Sequence, residues 1–330
     1  MNKTLDKVRK YILKENLFDK NKRIVLGVSG GADSICLFTI LNELKNEFNL
    51  ELEVVHINHL IREDASDDAN FVKSLCEKNS IPFHLYEKDV ETLAKELHIS
   101  TEDAGRRVRY EAFNEVSKED GLIAVAHNSN DKVETFFLNL FRGSGINGLC
   151  SIQNRRDNII RPILCLSRKE IEEYLKEKNI EYKIDSTNEE CIYTRNKIRN
   201  EVIPYVEENI HPAVVSNISN TISIIEEANE FLNEFVENFM KENVIEENNE
   251  IRINLNEFKS QKPIIQKMVL FNAISKFIPG AKDISRKNIE DILDNTTKGG
   301  RKETTLRNNL VCIKTNEYLT FKLENRKKRA

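Results

Sequence analysis

No segment of the 330-residue chain approaches the run of about 18 apolar residues that a membrane-spanning helix needs, so no transmembrane span is expected. The first residues, MNKTLDKVRKYILKENLF, interleave charges with Leu5, Val8, Ile12 and Leu17 at helical spacing. They lack the uninterrupted apolar core of a signal peptide and read as an amphipathic opening helix, and a cytoplasmic location is expected by default. The six cysteines (Cys36, Cys76, Cys150, Cys165, Cys191 and Cys312) include no CxxC pair. That scatter supports neither a disulfide framework nor a zinc or iron–sulfur site, and it leaves the cysteines as small buried apolar residues. A global excess of positive charge is missing too: the formal net charge is −4, so a nucleic-acid partner has to be gripped by local basic clusters. The nucleotide-binding loop GxxxxGK[ST] is absent, and neither it nor GxGxxG accounts for the glycine turn at 29–34.

What is present is an ordinary globular composition, 39% hydrophobic and 32% charged, on a chain long enough for a large domain and a smaller one. From about residue 20 to 190, short β-rich runs alternate with helical periodicity. The strands are expected at Ile24–Val28, Leu52–Asn58, Ile81–Tyr86 and Leu122–Ala126, with helices at 34–46, 65–79, 102–118 and 130–141 between them. Near-continuous apolar strands separated by helices predict an α/β fold, a doubly wound parallel sheet covered on both faces. Ligands in such folds sit beyond the carboxyl ends of the strands, where the loops after Val28, Asn58 and Ala126 should converge.

After Pro204 the pattern changes. Val214, Ile218, Ile222, Ile225, Leu232, Phe235 and Phe239 recur at helical spacing, and the acidic stretch KENVIEENNE (241–250) reads as a loop. Helices near 263–278 and 285–294 and a β pair near 305–313 and 317–323 follow. The expected organisation is a catalytic domain over 1–208 and a smaller, mainly helical domain over 209–330, with the boundary near 205–212 and a frayed NRKKRA tail.

Three constellations carry chemistry. Ser29-Gly30-Gly31-Ala32-Asp33-Ser34 follows a strand and opens a helix. Adjacent glycines let the backbone approach an anion, and the N–H groups of the loop and helix start can cradle phosphate. The serine hydroxyls can add donors, and Asp33 can hold a magnesium ion. The second constellation begins where the fourth strand ends. His127, Asp131 and Glu134 share one helical face ahead of Arg142-Gly143-Ser144-Gly145, and suit either a metal, a cationic substrate or plain solvation. The third joins Asp185-Ser186-Thr187-Asn188 to Tyr193-Thr194-Arg195-Asn196-Lys197-Ile198-Arg199-Asn200, with Arg195 and Arg199 one turn apart. That pair can clamp phosphate or carboxylate.

SGGADS resembles the pyrophosphate loop of the N-type ATP pyrophosphatases, and the three segments in this order resemble the tRNA(Ile)-lysidine synthetase family. Arg106, Arg107, Arg109 and Tyr110, and His56, Asn58, His59 and Arg62, match further segments of that family. The resemblance is dense from about 24 to 204. It departs at His127-Asn128-Ser129-Asn130-Asp131, where many members read His-His-x-Asp-Asp, so one frequent carboxylate is Asn130. Longer members carry a further C-terminal domain, which this sequence is expected to lack.

The resemblance implies a PP-loop catalytic domain that uses ATP and Mg2+, the metal at Asp33, to adenylate the C2 oxygen of the wobble cytidine of CAU-anticodon tRNA(Ile). L-lysine then replaces that oxygen, giving lysidine, AMP and pyrophosphate and switching codon reading from AUG to AUA. It implies nucleotide binding by residues 29–34 and lysine recognition by Asp131 and Glu134, one of which, or His127, accepts a proton. Arg106, Arg109, Arg195 and Arg199 are the candidates for tRNA phosphates or the intermediate, Arg109 among the catalytic set, with Arg155, Arg156 and Arg161 extending the track or merely solvated. His56 and His59 read as a site wall, and Phe136 and Phe137 as core. A homodimer is compatible with the sequence, and no membrane partner is expected. The alternatives are a tRNA thiolase using Cys150 or Cys191, a nucleotide-sensing protein without turnover, and an amidotransferase-type synthetase, for which no glutaminase segment is seen.

Overall fold

The computed structural model describes residues 2–60, 65–183, 194–278 and 284–324, so Arg62, Asp185 to Asn188, Cys191 and Tyr193 lie outside the described residues. The chain runs α1 (Lys3–Lys14), β1 (Arg23–Gly27), α2 (Ala32–Phe48), β2 (Glu51–Asn58), α3 (Ala65–Lys78), β3 (Phe83–Glu87), α4 (Val90–Leu97), α5 (Thr101–Ser117) and β4 (Leu122–Ala124). It continues through α6 (Ser129–Phe141), α7 (Ile146–Leu149), the short strands β5 (Arg155–Arg156) and β6 (Ile159–Ile160), and α8 (Arg168–Glu177). The strands pair in the order β3-β2-β1-β4-β6-β5, all parallel except the β5–β6 hairpin. The apolar runs that predicted buried strands are buried: Ile24, Val25 and Leu26 have no exposed surface and are packed from both sides.

Strand order explains where the site must be. β1 feeds α2 on one face and β4 feeds α6 from the neighbouring strand, with Leu26 opposite Ala124 in register. Three residues beyond each lie Ser29 and His127, so the first two constellations start side by side at the carboxyl edge of the sheet. The third follows α8. It forms α9 (Thr194–Lys197), a π-helical turn over Ile198–Val202, and α10 (Ile203–Asn209), which opens with Pro204. Ile198 and Ile203 pack with Val133, Val214 and Val215 in a small apolar cluster that fixes this segment against α6.

Contacts divide the chain into Met1–Ile225 and Glu226–Ala330, a division that falls within the helix α11 (Val214–Asn243), C-terminal to the change of sequence character at 205–212. The second unit is less purely helical than its periodicity suggested. β7 (Val244–Glu247), β8 (Glu250–Asn254), α12 (Leu255–Ser260), α13 (Pro263–Ser275), α14 (Arg286–Thr297), β9 (Lys302–Thr305), β10 (Leu310–Lys314) and β11 (Tyr318–Leu323) form a five-stranded antiparallel sheet, β7-β8-β11-β10-β9, with helices. The stretch 241–250 is therefore not a loop. Asn248 and Asn249 both adopt positive φ, as a two-residue hairpin turn requires, and Ile251 and Ile253 alternate into the core beyond it. Acidic, Asn-rich composition hid the hairpin because its outward positions are polar and its turn residues are also loop residues.

Candidate active site

Gly30 has φ +97°, a conformation any L side chain would strain, and it turns the chain from β1 toward α2. The Ser34 hydroxyl locks this turn. It accepts from the N–H of Ser29 (3.2 Å) and Gly30 (3.1 Å) and donates to the carbonyl of Gly31 (2.9 Å). Ser34 is thus buried in shaping the loop and does not offer its proton to a ligand, while Ser29 remains exposed. Gly31 caps α2 without a side chain, so no cap competes with an anion for the first-turn N–H groups. From the other side, the N–H of Lys183 donates to the carbonyl of Gly30 (3.0 Å).

Asp33, in the first turn of α2, is held by two groups from elsewhere in the chain. Asn128 Nδ2 donates to its Oδ1 at 3.1 Å and Arg168 Nη1 to its Oδ2 at 2.8 Å. Burial lifts the Asp33 carboxyl above the usual carboxylate range and nearby Asp131 adds to the rise, against the pull of Arg168, Asn128 and Arg199. Asn128 is itself the N-cap of α6: its Oδ1 accepts from the N–H of Asp131 (3.1 Å), whose carboxylate accepts from the N–H of Asn128 (3.0 Å). One buried amide therefore ties the nucleotide loop to the acidic helix. Neither Asn128 nor Arg168 stood out in the sequence. Ser167 and Glu170 spell a capping box that places Arg168 at a helix start, but its contact with Asp33 spans 135 residues.

The two acids and two arginines that the sequence assigned to different partners meet each other. Arg195 donates to Glu134 (2.7 Å) and Asp131 (2.9 Å); Arg199 donates to both Glu134 oxygens (2.6 and 3.0 Å) and to Asp131 (3.0 Å). Glu134 is 1% exposed, and each arginine side chain keeps about a third of its surface in water. The cluster contains two negative and two positive charges, so it is balanced. Burial of the acids is tolerated because every carboxylate oxygen facing the arginines is charge-paired and hydrogen-bonded.

His127 sits among cations. Arg161, only 6% exposed, donates from Nε to His127 Nδ1 (3.2 Å) and from Nη1 to the carbonyl of Gln153 (2.7 Å). Burial first, then Arg161, Arg195, Arg109 and Arg106, push the imidazole down to about 3. A proton-accepting role for His127 is opposed by those surroundings, which disfavour the imidazolium. Arg106 and Arg109 are exposed on α5, with Arg106 stacked 5.4 Å from the Tyr110 ring. Arg155 and Arg156 lie exposed on β5. His56 Nδ1–H donates to the carbonyl of Val28 (2.8 Å) beneath the loop, and His59 packs near Gly105 with its Nδ1 unpartnered among the described residues. Phe137 packs into the apolar cluster around Val133, as expected of core. Among the described residues, no set of three or more His, Cys, Asp or Glu side chains forms a metal cage. Cys36, Cys76, Cys150 and Cys312 are buried and Cys165 is half-buried, and burial pushes the Cys165 and Cys76 thiols up to about 12.

The depressed histidines set a pH dependence. Burial lowers His56, His59 (to about 4) and His127 (to about 3), so the unfolded chain takes up protons below about pH 6.5 before the native chain does. Stability should therefore fall as pH drops from 7 to 5, by at most about 1.4 kcal/mol per pH unit per histidine, less for solvent screening. Urea midpoints across this window would check it, with His59→Gln expected to flatten the slope. Glu53 and Glu170, whose carboxyls are lowered, act only at more acid pH.

Residues 1–206 match the family model of the PP-loop domain. The chain is 43% identical over 294 residues to a tRNA(Ile)-lysidine synthase of Caldanaerobacter subterraneus subsp. tengcongensis, covering 88% of this chain and 63% of that protein. It is 39% identical over 316 residues to the tRNA(Ile)-lysidine synthase of Clostridioides difficile, covering 94% of this chain and 68% of that protein. The chain thus spans roughly two thirds of the length of the curated relatives it matches. Among solved structures, the U34-tRNA thiolase NcsA from Methanococcus maripaludis, with its [4Fe-4S] cluster, superposes with a TM-score of 0.56 at 21% identity, over 68% of this chain and 78% of that one. That likeness concerns the fold alone.

Proposed function

The chain belongs to the tRNA(Ile)-lysidine synthase family, and on that premise we propose that it joins L-lysine to C2 of the wobble cytidine of CAU-anticodon tRNA(Ile) at the expense of ATP. The observation that carries this reading is the junction at Asn128, which hydrogen-bonds Asp33 of the phosphate loop and caps the helix bearing Asp131 and Glu134. On this reading the nucleotide-activating loop and the cation-selecting acids are neighbours, as a two-step ligation requires.

In the first step the C2 oxygen attacks the α-phosphorus of ATP, and pyrophosphate leaves with the electron pair of the broken bond. The N–H groups opening α2 face the charge that gathers there. Magnesium takes few protein carboxylates and completes its shell with phosphate oxygens and water, so the single carboxylate of Asp33 beside the loop suits it once Arg168 turns from Oδ2 to the phosphates. Asp33 would hold the ion, which supplies neutralisation of the phosphate charge. The cytidine has to be unstacked to reach this edge of the sheet. Arg106 and Arg109 face the tRNA phosphates or the adenylate from α5, and the region after residue 208 supplies further tRNA contacts.

In the second step the lysine ε-amine attacks C2, AMP departs with the former C2 oxygen, and the nitrogen loses a proton. With a free pKa of about 10.4, only roughly one amine in 2,500 is neutral at pH 7, a deficit of about 4–5 kcal/mol. An isolated carboxylate pair would bind the ammonium but deepen that deficit. The balanced cluster limits this: the ammonium exchanges with one guanidinium at Asp131 and Glu134, the other guanidinium offsets one of the two negative charges, and a carboxylate takes the proton as the amine attacks. Arg195 or Arg199, once released, turns to the phosphates of the intermediate.

The test is radiolabelled lysine incorporation into transcribed CAU-anticodon isoleucine tRNA with ATP and magnesium, beside a methionine tRNA control. Incorporation into the isoleucine tRNA alone supports the proposal. Pyrophosphate release without lysine incorporation would keep the nucleotide chemistry and discard the lysine assignment.

A further inference from the structure

Resting on the function proposed above, we propose that His127 acts as a neutral hydrogen-bond donor through Nε2, and that Arg161 is the positioning residue that fixes its tautomer. A guanidinium has five N–H donors and no acceptor, so the 3.2 Å contact from Arg161 Nε obliges His127 Nδ1 to be the acceptor. A neutral imidazole whose Nδ1 accepts carries its proton on Nε2. Nε2 has no hydrogen-bond partner among the described residues, and the ring is half-buried rather than sealed in the core.

Arg161 is built for this task. It is 6% exposed, its Nη1 is anchored on the carbonyl of Gln153, and no carboxylate pairs with it among the described residues. A buried guanidinium without a counter-ion is costly, so it has to be explained by what it holds or by an anion that arrives. The charged groups that act on His127 most strongly are Arg161 from the segment after β6, Arg195 from α9, and Arg106 and Arg109 from α5. All are cations, and together with burial they keep the ring neutral through the physiological range. The sheet places this donor three residues beyond Ala124, beside the phosphate loop that stands three residues beyond Leu26. The chemical class that fits a fixed N–H within a ring of arginines is a phosphate oxygen, here that of the adenylate as AMP is expelled. A neutral donor stabilises the developing charge without delivering a proton to the lysine amine, which must stay unprotonated to attack.

The experiment has two readouts. In 15N NMR of the free protein, His127 should show a pyridine-like Nδ1 and a pyrrole-like Nε2, unchanged from pH 8 to 5. Arg161→Met should populate the other tautomer, with the proton on Nδ1 in part of the molecules, and Arg161→Lys, which still donates, should restore the spectrum. In lysine joining, His127→Ala should lose about 100- to 1,000-fold in turnover. His127→Gln, whose amide Nε2 can donate but cannot act as a base, should recover to within about tenfold of the native rate. A proton on Nδ1, or a Gln variant as inactive as the Ala variant, overturns the proposal. A native chain that joins no lysine to any tRNA overturns the function proposed above, and the spectrum of the free protein still decides the tautomer.

Discussion

Glu134→Ala is expected to destabilise the protein by about 3 kcal/mol and to raise the lysine KM sharply at the same time. The stability term comes from taking from Arg195 and Arg199 their more deeply buried partner, and breaking a buried pair typically costs about 3–5 kcal/mol. The low end applies because each guanidinium side chain already meets water over about a third of its surface and can turn outward. Asp131 keeps one contact to each arginine and limits the loss further. Urea denaturation reads the first effect and steady-state kinetics with varied lysine the second. Lost stability with an unchanged lysine KM would mean that the four-charge cluster is a structural clamp and that lysine binds elsewhere. Arg199→Gln gives the complementary result: with a guanidinium removed, the acids carry an uncompensated charge, and lysine should bind more tightly to the free protein while turnover falls.

Asp33→Ala should lower pyrophosphate release and lysine joining together, by about 1,000-fold, with little rise in the KM for ATP. The rate term is the loss of the carboxylate that would hold the phosphate-bound metal. The small effect on KM follows from the contacts around Asp33. Its removal takes a negative charge from the first turn of α2 and frees Arg168, now 2.8 Å from it, to meet the triphosphate. Asp33→Glu tests the geometry, since it restores the charge but displaces it by one methylene. An Asp33→Ala rate within a few-fold of the native one would remove Asp33 from the mechanism.

The run IVLGV followed by SGGADS announced both a buried strand and an anion-binding turn, because near-continuous apolar residues and paired glycines have local physical meanings. The spacing of Asp131 and Glu134 gave their shared helical face for the same reason. In the C-terminal unit, the hairpin at 244–254 was missed because Asn248 and Asn249 suit a loop as well as a tight turn. Period and composition could not separate the two until β8 found β11 as a partner, far along the chain.

By itself, the sequence determined the alternation of strands and helices, the turn at Gly30 and the inventory of charged groups at the strand ends. These depend on interactions within a few residues, where spacing and side-chain type are sufficient. Only the tertiary structure decided which charges meet. Arg195 and Arg199 face Asp131 and Glu134 because Ile198 and Ile203 pack beside Val133, and Arg168 reaches Asp33 because α8 returns to the loop after β1. Likewise, Arg161 dictates the tautomer of His127 through a contact 34 residues away in sequence. Local periodicity says nothing about such pairings, since they are selected by packing and desolvation across the whole domain.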